Sequence, residues 1–132
     1  PIRLSGHSAG GQLVARVATG DTLPNAVRAR LKKVVPISPV GDLRPLMETS
    51  MNADLRLDEA EALAESPTLL TAPDVPVSVW VGAEERPVFL DQARWLAQAW
   101  SAEHVEVPDR HHFDVFDALR VADSGMVNAI LD

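Results

Sequence analysis

The stretch IRLSGHSAGG, residues 2–11, is a short apolar strand followed at once by Gly-x-Ser-x-Gly and the start of a helix. A sharp strand-to-helix turn of this kind lifts the serine hydroxyl above the sheet. We expect glycine to be required at Gly6 and Gly10, because side chains there would crowd the turn. The following helix directs the Ala9 backbone N–H and the positive end of its dipole toward a developing oxyanion. The stretch therefore predicts a nucleophile at Ser8.

Beyond this turn, strand-like and helix-like segments alternate. The predicted strands are 2–5, 34–37, 75–82 and 104–107; the predicted helices follow Ser8, occupy parts of 42–66 and cover 89–100. Helix 89–100 carries one apolar stripe, and we expect Gln92 on its solvent face. Strands that alternate with helices in this way predict an α/β fold with a parallel sheet and right-handed crossovers. Sites in such sheets lie at the carboxyl ends of the strands.

A serine hydroxyl needs a base to accept its proton and an acid to orient that base. Two acidic residues, Glu84 and Glu85, follow the third predicted strand, and two histidines, His111 and His112, follow the fourth. All four lie where a parallel sheet gathers its site residues. Adjacent side chains on an extended loop point apart, so one histidine is expected to serve the site, and a metal site at the pair is disfavoured without a third ligand.

Composition narrows the class of partner. The chain has 12 basic and 19 acidic residues and a net charge of -7, which disfavours binding to nucleic acid or to an anionic membrane. It has no cysteine, which excludes disulfides and thiolate metal sites and fits a cytoplasmic protein. No apolar run approaches the roughly 18 residues needed to cross a bilayer. We expect one domain over residues 1–132 that binds a small molecule.

Several stretches together resemble the kynurenine formamidase (arylformamidase) branch of the α/β-hydrolases. They are GHSAGG at 6–11, SPVGDLRPL at 38–46, TSMN at 49–52, LRLDEAEALAESP at 55–67, VGAEERPVFLDQ at 81–92 and HHFDVFDAL at 111–119. The resemblance implies an α/β-hydrolase fold in which Ser8 is the nucleophile, Glu85 the triad acid and His112 the base. Glu85 departs from the more common aspartate, and Glu84 is the alternative acid.

The same resemblance implies a substrate and a pocket. An aryl formamide such as N-formylkynurenine would be hydrolysed without a cofactor. Met51 and Asn52 would line the substrate pocket, with ordinary helix packing as the alternative. A general carboxylesterase acting on short acyl esters has the same triad and is the nearest rival. A non-catalytic binding protein that kept the fold is the rival from another class.

In this fold the serine turn normally follows several strands and an HGG-type loop that supplies an oxyanion donor. The sequence before Gly6 contains no such loop. We therefore expect residues 1–132 to be the carboxyl-terminal portion of one α/β-hydrolase domain, starting at the strand of the nucleophile. Activity is then expected to need the first half of that domain, and a homo-oligomer is a further expectation.

Overall fold

A computed structural model describes residues 1–20 and 22–132. The strands are β1 (Ile2–His7), β2 (Leu31–Ile37), β3 (Ser78–Gly82) and β4 (Glu103–Val107). The α-helices are α1 (Ala9–Ala18), α2 (Asn25–Arg28), α3 (Asn52–Leu55), α4 (Glu59–Ala64), α5 (Pro87–Trp100) and α6 (Gly125–Leu131). Shorter 3₁₀ helices cover Arg44–Glu48, Pro67–Leu69 and Val115–Arg120.

The four strands form one parallel sheet in the order β1-β2-β3-β4. Each strand is therefore bonded to the next one along the chain. Helices α1 to α5 lie in the crossovers, as the alternating pattern predicts, and α6 follows β4. The strands run a few residues longer or shorter than predicted: β2 begins at Leu31, and β3 begins only at Ser78. The carboxyl ends of β1, β3 and β4 meet at one edge of the sheet, and this edge carries the candidate site.

Apolar side chains on alternate positions of the strands build a core on each face of the sheet. On one face, Val79 and Val81 pack with Ala15 of α1 and Leu96 of α5. On the other face, Ile37 packs with Met126 of α6 and with partly buried hydrophobic residues that include Trp80. Successive residues of a strand point to opposite faces, which explains why Trp80 lies apart from its two valine neighbours. No helix in the described ranges has the length and hydropathy to cross a bilayer.

Two local details show how well the sequence patterns predict side-chain contacts. Asp58 caps α4, because its carboxylate accepts the backbone N–H of Glu61 at 2.8 Å. The prediction for Gln92 was wrong, since this residue is only 2 % exposed. Its amide donates to the backbone carbonyl of Asp42 at 2.9 Å and accepts the backbone N–H of Asp42 at 2.8 Å. A polar side chain on α5 thus holds the loop that follows β2.

Candidate active site

Ser8 stands at the junction of β1 and α1 in a backbone conformation that few residues adopt. Its φ is 58° and its ψ is -115°, a strained combination for a side chain with a Cβ. The backbone N–H of Ser8 donates to the carbonyl of Ile37 at 2.9 Å, which ties the turn to β2. α1 begins at the next residue, Ala9, whose N–H is one of the unpaired donors at a helix start. The structure therefore has the strand-turn-helix geometry that the motif predicts.

The glycines of the turn differ in how closely other backbone atoms approach them. A Cβ on Gly6 would lie 2.3 Å from the carbonyl oxygen of Gly10, so only glycine fits there. A Cβ on Gly10 would meet no described atom within 4 Å, and the prediction that a side chain there would crowd the turn was wrong. The crowding lies one residue further on. A Cβ on Gly11 would be 3.0 Å from the backbone of both Ile37 and Pro39, which shows how closely α1 packs on the end of β2.

Glu85 lies on the loop after β3, and His112 on the loop after β4. A Cβ on Gly82, the last residue of β3, would lie 2.3 Å from the carbonyl oxygen of Arg110, because the two loops pass in contact. The backbone N–H of Glu84 donates to that same carbonyl at 2.9 Å. Backbone contact between the loops is therefore what places the carboxylate and the imidazole side by side, although 27 residues separate them along the chain.

The three side chains named from the resemblance form a continuous hydrogen-bonded series. The Nε2 atom of His112 is 3.0 Å from Oγ of Ser8, and its Nδ1 atom is 2.7 Å from Oε2 of Glu85. The Glu85 side chain is fully buried, and the His112 side chain is 13 % exposed. Both distances are within the reach of ordinary hydrogen bonds. A carboxylate, an imidazole and a hydroxyl in this order match the arrangement in which a serine is activated as a nucleophile.

The alternatives Glu84 and His111 line the same cavity as Ser8 but take no part in the hydrogen-bonded series. His111 is 58 % exposed, and its Nε2 atom lies 3.4 Å from a carboxylate oxygen of Asp114. Of the two acidic residues after β3, Glu85 is the one whose carboxylate contacts an imidazole. Within residues 1–20 and 22–132, no group of three or more His, Asp or Glu side chains is arranged to hold a metal ion.

Aromatic rings surround the imidazole of His112. The ring of Phe89 stacks on it at a centroid distance of 4.0 Å, and Phe113 contacts it edge-on at 5.2 Å. The ring of His7 lies between those of His112 and Phe116, with centroid distances of 4.5 Å and 4.7 Å. Burial lowers the pKa of His7, and the neighbouring His112 lowers it further, against the raising effects of a hydrogen bond to the His112 backbone and of Glu85. A lowered pKa keeps His7 neutral at neutral pH, so His7 places no positive charge beside His112.

A cavity of about 490 Å³ opens at this site. Ser8 and His112 line it together with Arg86 and the rings of Phe89 and Phe113. Phe113 is 78 % exposed, so it forms an apolar wall that is free to contact a bound molecule.

Met51 and Asn52, which are predicted from the resemblance to line the pocket, are not part of this lining. Met51 is 53 % exposed. The Asn52 amide is engaged by the backbone of Leu57, from which it accepts an N–H at 2.7 Å and to whose carbonyl it donates at 3.1 Å. Asn52 thus closes a local loop, and substrate contact by these two residues stays a prediction.

Sequence comparison finds relatives for nearly the whole chain. No protein-family model matches it. It is 26 % identical to a kynurenine formamidase of Salmo salar, over 98 % of this chain and 48 % of the relative. It is 27 % identical to a kynurenine formamidase of Danio rerio, over 89 % of this chain and 44 % of the relative. The chain spans about half the length of these curated relatives.

Solved structures match the fold. A protein of Silicibacter sp. TM1040, described as a candidate thioesterase, superposes on the whole chain with a TM-score of 0.98 and 52 % identity, and the chain covers 51 % of it. A carboxylesterase of Lactobacillus plantarum superposes on 85 % of the chain with a TM-score of 0.61 and 21 % identity, and 46 % of that protein is covered. With its parallel strands, its flanking helices and its serine turn, the chain belongs to the α/β-hydrolase superfamily and has part of that fold. Within the superfamily it is similar to the kynurenine formamidases.

Proposed function

We propose that this chain carries the catalytic triad of a serine hydrolase, with Ser8 as nucleophile, His112 as general base and Glu85 as the acid that orients it. The observation that carries the proposal is the unbroken series from Ser8 Oγ through the two ring nitrogens of His112 to Glu85 Oε2. The strained backbone of Ser8 supports it, since strain of this kind is concentrated at functional sites.

In the proposed reaction, His112 takes the hydroxyl proton as Ser8 Oγ attacks the substrate carbonyl carbon. The carbonyl oxygen becomes an oxyanion, which the Ala9 N–H and the start of α1 stabilise. His112 then gives its proton to the leaving nitrogen or oxygen, and the bond from carbonyl carbon to leaving group breaks. Water, deprotonated by His112, then attacks the carbonyl carbon of the acyl-enzyme. The bond from that carbon to Ser8 Oγ breaks, His112 returns the proton to Oγ, and the acid and free Ser8 are released. The Glu85 carboxylate orients His112 and stabilises the imidazolium that forms in each half of the cycle.

For the substrate we propose an aryl formamide such as N-formylkynurenine, cleaved to formate and an aromatic amine in tryptophan breakdown. Two observations support this choice. The curated relatives are kynurenine formamidases, and the cavity at Ser8 has Phe89 and Phe113 in its lining. Aromatic rings favour offset or edge-on contact with another ring, which suits an aryl group held beside the reacting carbonyl.

Ester or thioester hydrolysis is the second candidate. It is favoured by the 52 % identity to a protein described as a candidate thioesterase. The triad is the same for each of these reactions, and the difference lies in how well the cavity holds the aryl, acyl or thiol part of the substrate.

The triad is tested by labelling the full gene product with a fluorophosphonate and measuring turnover. We expect Ser8→Ala to abolish labelling and to lower kcat by at least about 1000-fold, because no other hydroxyl contacts His112 in the described structure. The matched control is Ser101→Ala, an exposed serine at the end of α5 that should leave both readouts unchanged. A folded wild-type protein that neither reacts with the label nor turns over any of the substrates would overturn the proposal and favour a non-catalytic binding protein.

The substrate is tested by comparing kcat/KM for N-formylkynurenine, a p-nitrophenyl ester and an acyl thioester with the same preparation. The formamidase proposal expects the formamide to be the best of the three. Negligible formamide cleavage beside rapid ester or thioester cleavage would leave the triad standing and replace the substrate.

A further inference from the structure

Ser38 has an unusual backbone conformation directly after the end of β2. It follows the last residue of β2, between the strand that leads to Ser8 and the strand that leads to Glu85. It is fully buried, and its φ is 47°, in the left-handed region that a residue with a Cβ rarely adopts. Its backbone N–H donates to the carbonyl of Trp80 at 2.6 Å, so β3 holds the backbone in place.

The unusual backbone aims the Ser38 hydroxyl at the acid of the triad. The hydroxyl donates to Oε1 of Glu85, and the backbone N–H of Gly82 donates to the same oxygen at 2.9 Å. The other oxygen, Oε2, faces His112. The two carboxylate oxygens are therefore divided between two tasks: one is anchored to the protein, and one contacts the imidazole.

We propose that Ser38 is a positioning residue, which holds the Glu85 carboxylate so that Oε2 stays directed at Nδ1 of His112. This inference rests on the proposed function of the triad. A glutamate has one more rotatable bond than an aspartate, so its carboxylate needs more restraint to keep one oxygen on a fixed target. Two donors on Oε1, from different elements, supply that restraint. The strained backbone of Ser38 is then the cost of bringing a hydroxyl to this point.

A merely structural role for Ser38 makes a different prediction. A buried serine that only satisfies its own hydroxyl lowers stability when it is replaced, but it leaves the chemistry of the triad alone. Ser66 is such a residue. It is also fully buried, and its hydroxyl bonds the backbone of Leu43 and of Ala62, away from Glu85. Ser66→Ala therefore serves as the matched control for Ser38→Ala.

The test uses the full gene product with Ser38→Ala, Ser38→Gly and Ser66→Ala, each made in the wild type and in the Glu85→Gln background. Two readouts are taken. One is kcat and KM, or the rate of fluorophosphonate labelling where turnover is slow. The other is the proton NMR resonance of the His112 ring N–H that is shared with Glu85, which needs no turnover. Ser38→Gly removes the hydroxyl and also relieves the left-handed backbone, so it separates the hydroxyl from the strain.

We expect Ser38→Ala and Ser38→Gly to lower kcat about 10-fold with KM changed less than about 2-fold, as expected for loss of one hydrogen bond to a charged group. In the Glu85→Gln background the same changes should cost less than about 2-fold, because residues that act through one another are not additive. The shared proton resonance should move in both Ser38 variants and stay in place in Ser66→Ala.

An unmoved resonance in Ser38→Ala, or an equal loss of kcat in both backgrounds, would overturn the role of Ser38. These outcomes are separate from failure of the proposed function. A wild type that lacks turnover and labelling refutes the hydrolase, while the resonance still decides whether Ser38 orients Glu85.

Discussion

Replacement of Gly82 by alanine tests whether the contact between the β3 and β4 loops sets the geometry of the site. The new Cβ would lie 2.3 Å from the carbonyl oxygen of Arg110 and 2.8 Å from its carbonyl carbon. Ordinary carbon-to-oxygen contacts begin at about 3.3 Å. Arg110 must therefore move by about 1 Å, and it lies two residues before His112.

A displacement of this size is large for the proposed triad. Misplacement of a catalytic group by about 1 Å can cost on the order of 100-fold in rate. We therefore expect Gly82→Ala to lower kcat/KM about 100-fold for whichever substrate the protein hydrolyses best. Overpacking of this kind also costs about 1–3 kcal/mol in the free energy of unfolding.

The assay combines turnover with urea denaturation, so that loss of activity is measured on folded protein. Gly125→Ala is the control, because its Cβ would be 3.6 Å from the nearest ring atom of Trp80, an ordinary contact. It should keep the activity of the wild type. If Gly82→Ala folds and retains kcat/KM within about threefold, the loop contact does not position His112 and the reasoning is refuted.

Two further predictions concern the loop after β2 and are read by urea denaturation. Gln92→Leu should lower the free energy of unfolding by about 2 kcal/mol, because it leaves the buried backbone N–H and carbonyl of Asp42 without partners. The control, Gln98→Leu, lies at an exposed position of the same helix and should change the free energy of unfolding by less than about 0.5 kcal/mol. Equal effects of the two substitutions would contradict this account. Hydrogen bonds from Arg44 lower the pKa of Asp42, so the folded state binds fewer protons at Asp42 than the unfolded state does. The resulting stabilisation is present above the ordinary aspartate pKa of about 4 and is lost as the pH falls below that value. Arg44→Ala should therefore cost about 1 kcal/mol at pH 7, a value kept small because Arg44 is half exposed, and progressively less as the pH falls below about 4. A cost that does not depend on pH would rule out this explanation.

The site could be predicted from local patterns because each of its parts follows a strand. The serine turn lies between an apolar strand and an amphipathic helix. Glu85 follows the third predicted strand, which ends in a glycine, and His112 follows a turn after the fourth. Parallel strands bring their carboxyl ends to one edge, so side chains far apart in the chain are expected to meet there. The choice of Glu85 over Glu84, and of His112 over His111, came from the resemblance. In the structure Glu85 and His112 form a series with Ser8, and their catalytic roles stay a prediction.

Contacts between distant segments decided what local patterns missed. Gln92 is polar and lies beside the apolar stripe of its helix, so the pattern predicts an exposed side chain. In the structure the backbone of Asp42 supplies two hydrogen-bond partners for the Gln92 amide, and burial of that side chain becomes favourable. In the sequence Ser38 resembles any serine at the end of a strand. Its contact with Glu85, 47 residues further along the chain, forms only in the folded structure. The close approach to β2 falls on Gly11 and not on Gly10, because the direction in which α1 leaves the turn is set by its packing.

The order of residue types along this chain by itself determined the alternation of strands and helices, the strained serine turn and the edge of the sheet where reactive side chains collect. These follow from hydrophobic periodicity and from glycine at a turn, which act over a few residues. Only the tertiary structure decided which oxygen of Glu85 contacts His112, which hydroxyl anchors the other oxygen, and which glycine lets α1 approach the sheet. Those outcomes depend on contacts of about 3 Å between segments that meet only when the sheet has formed.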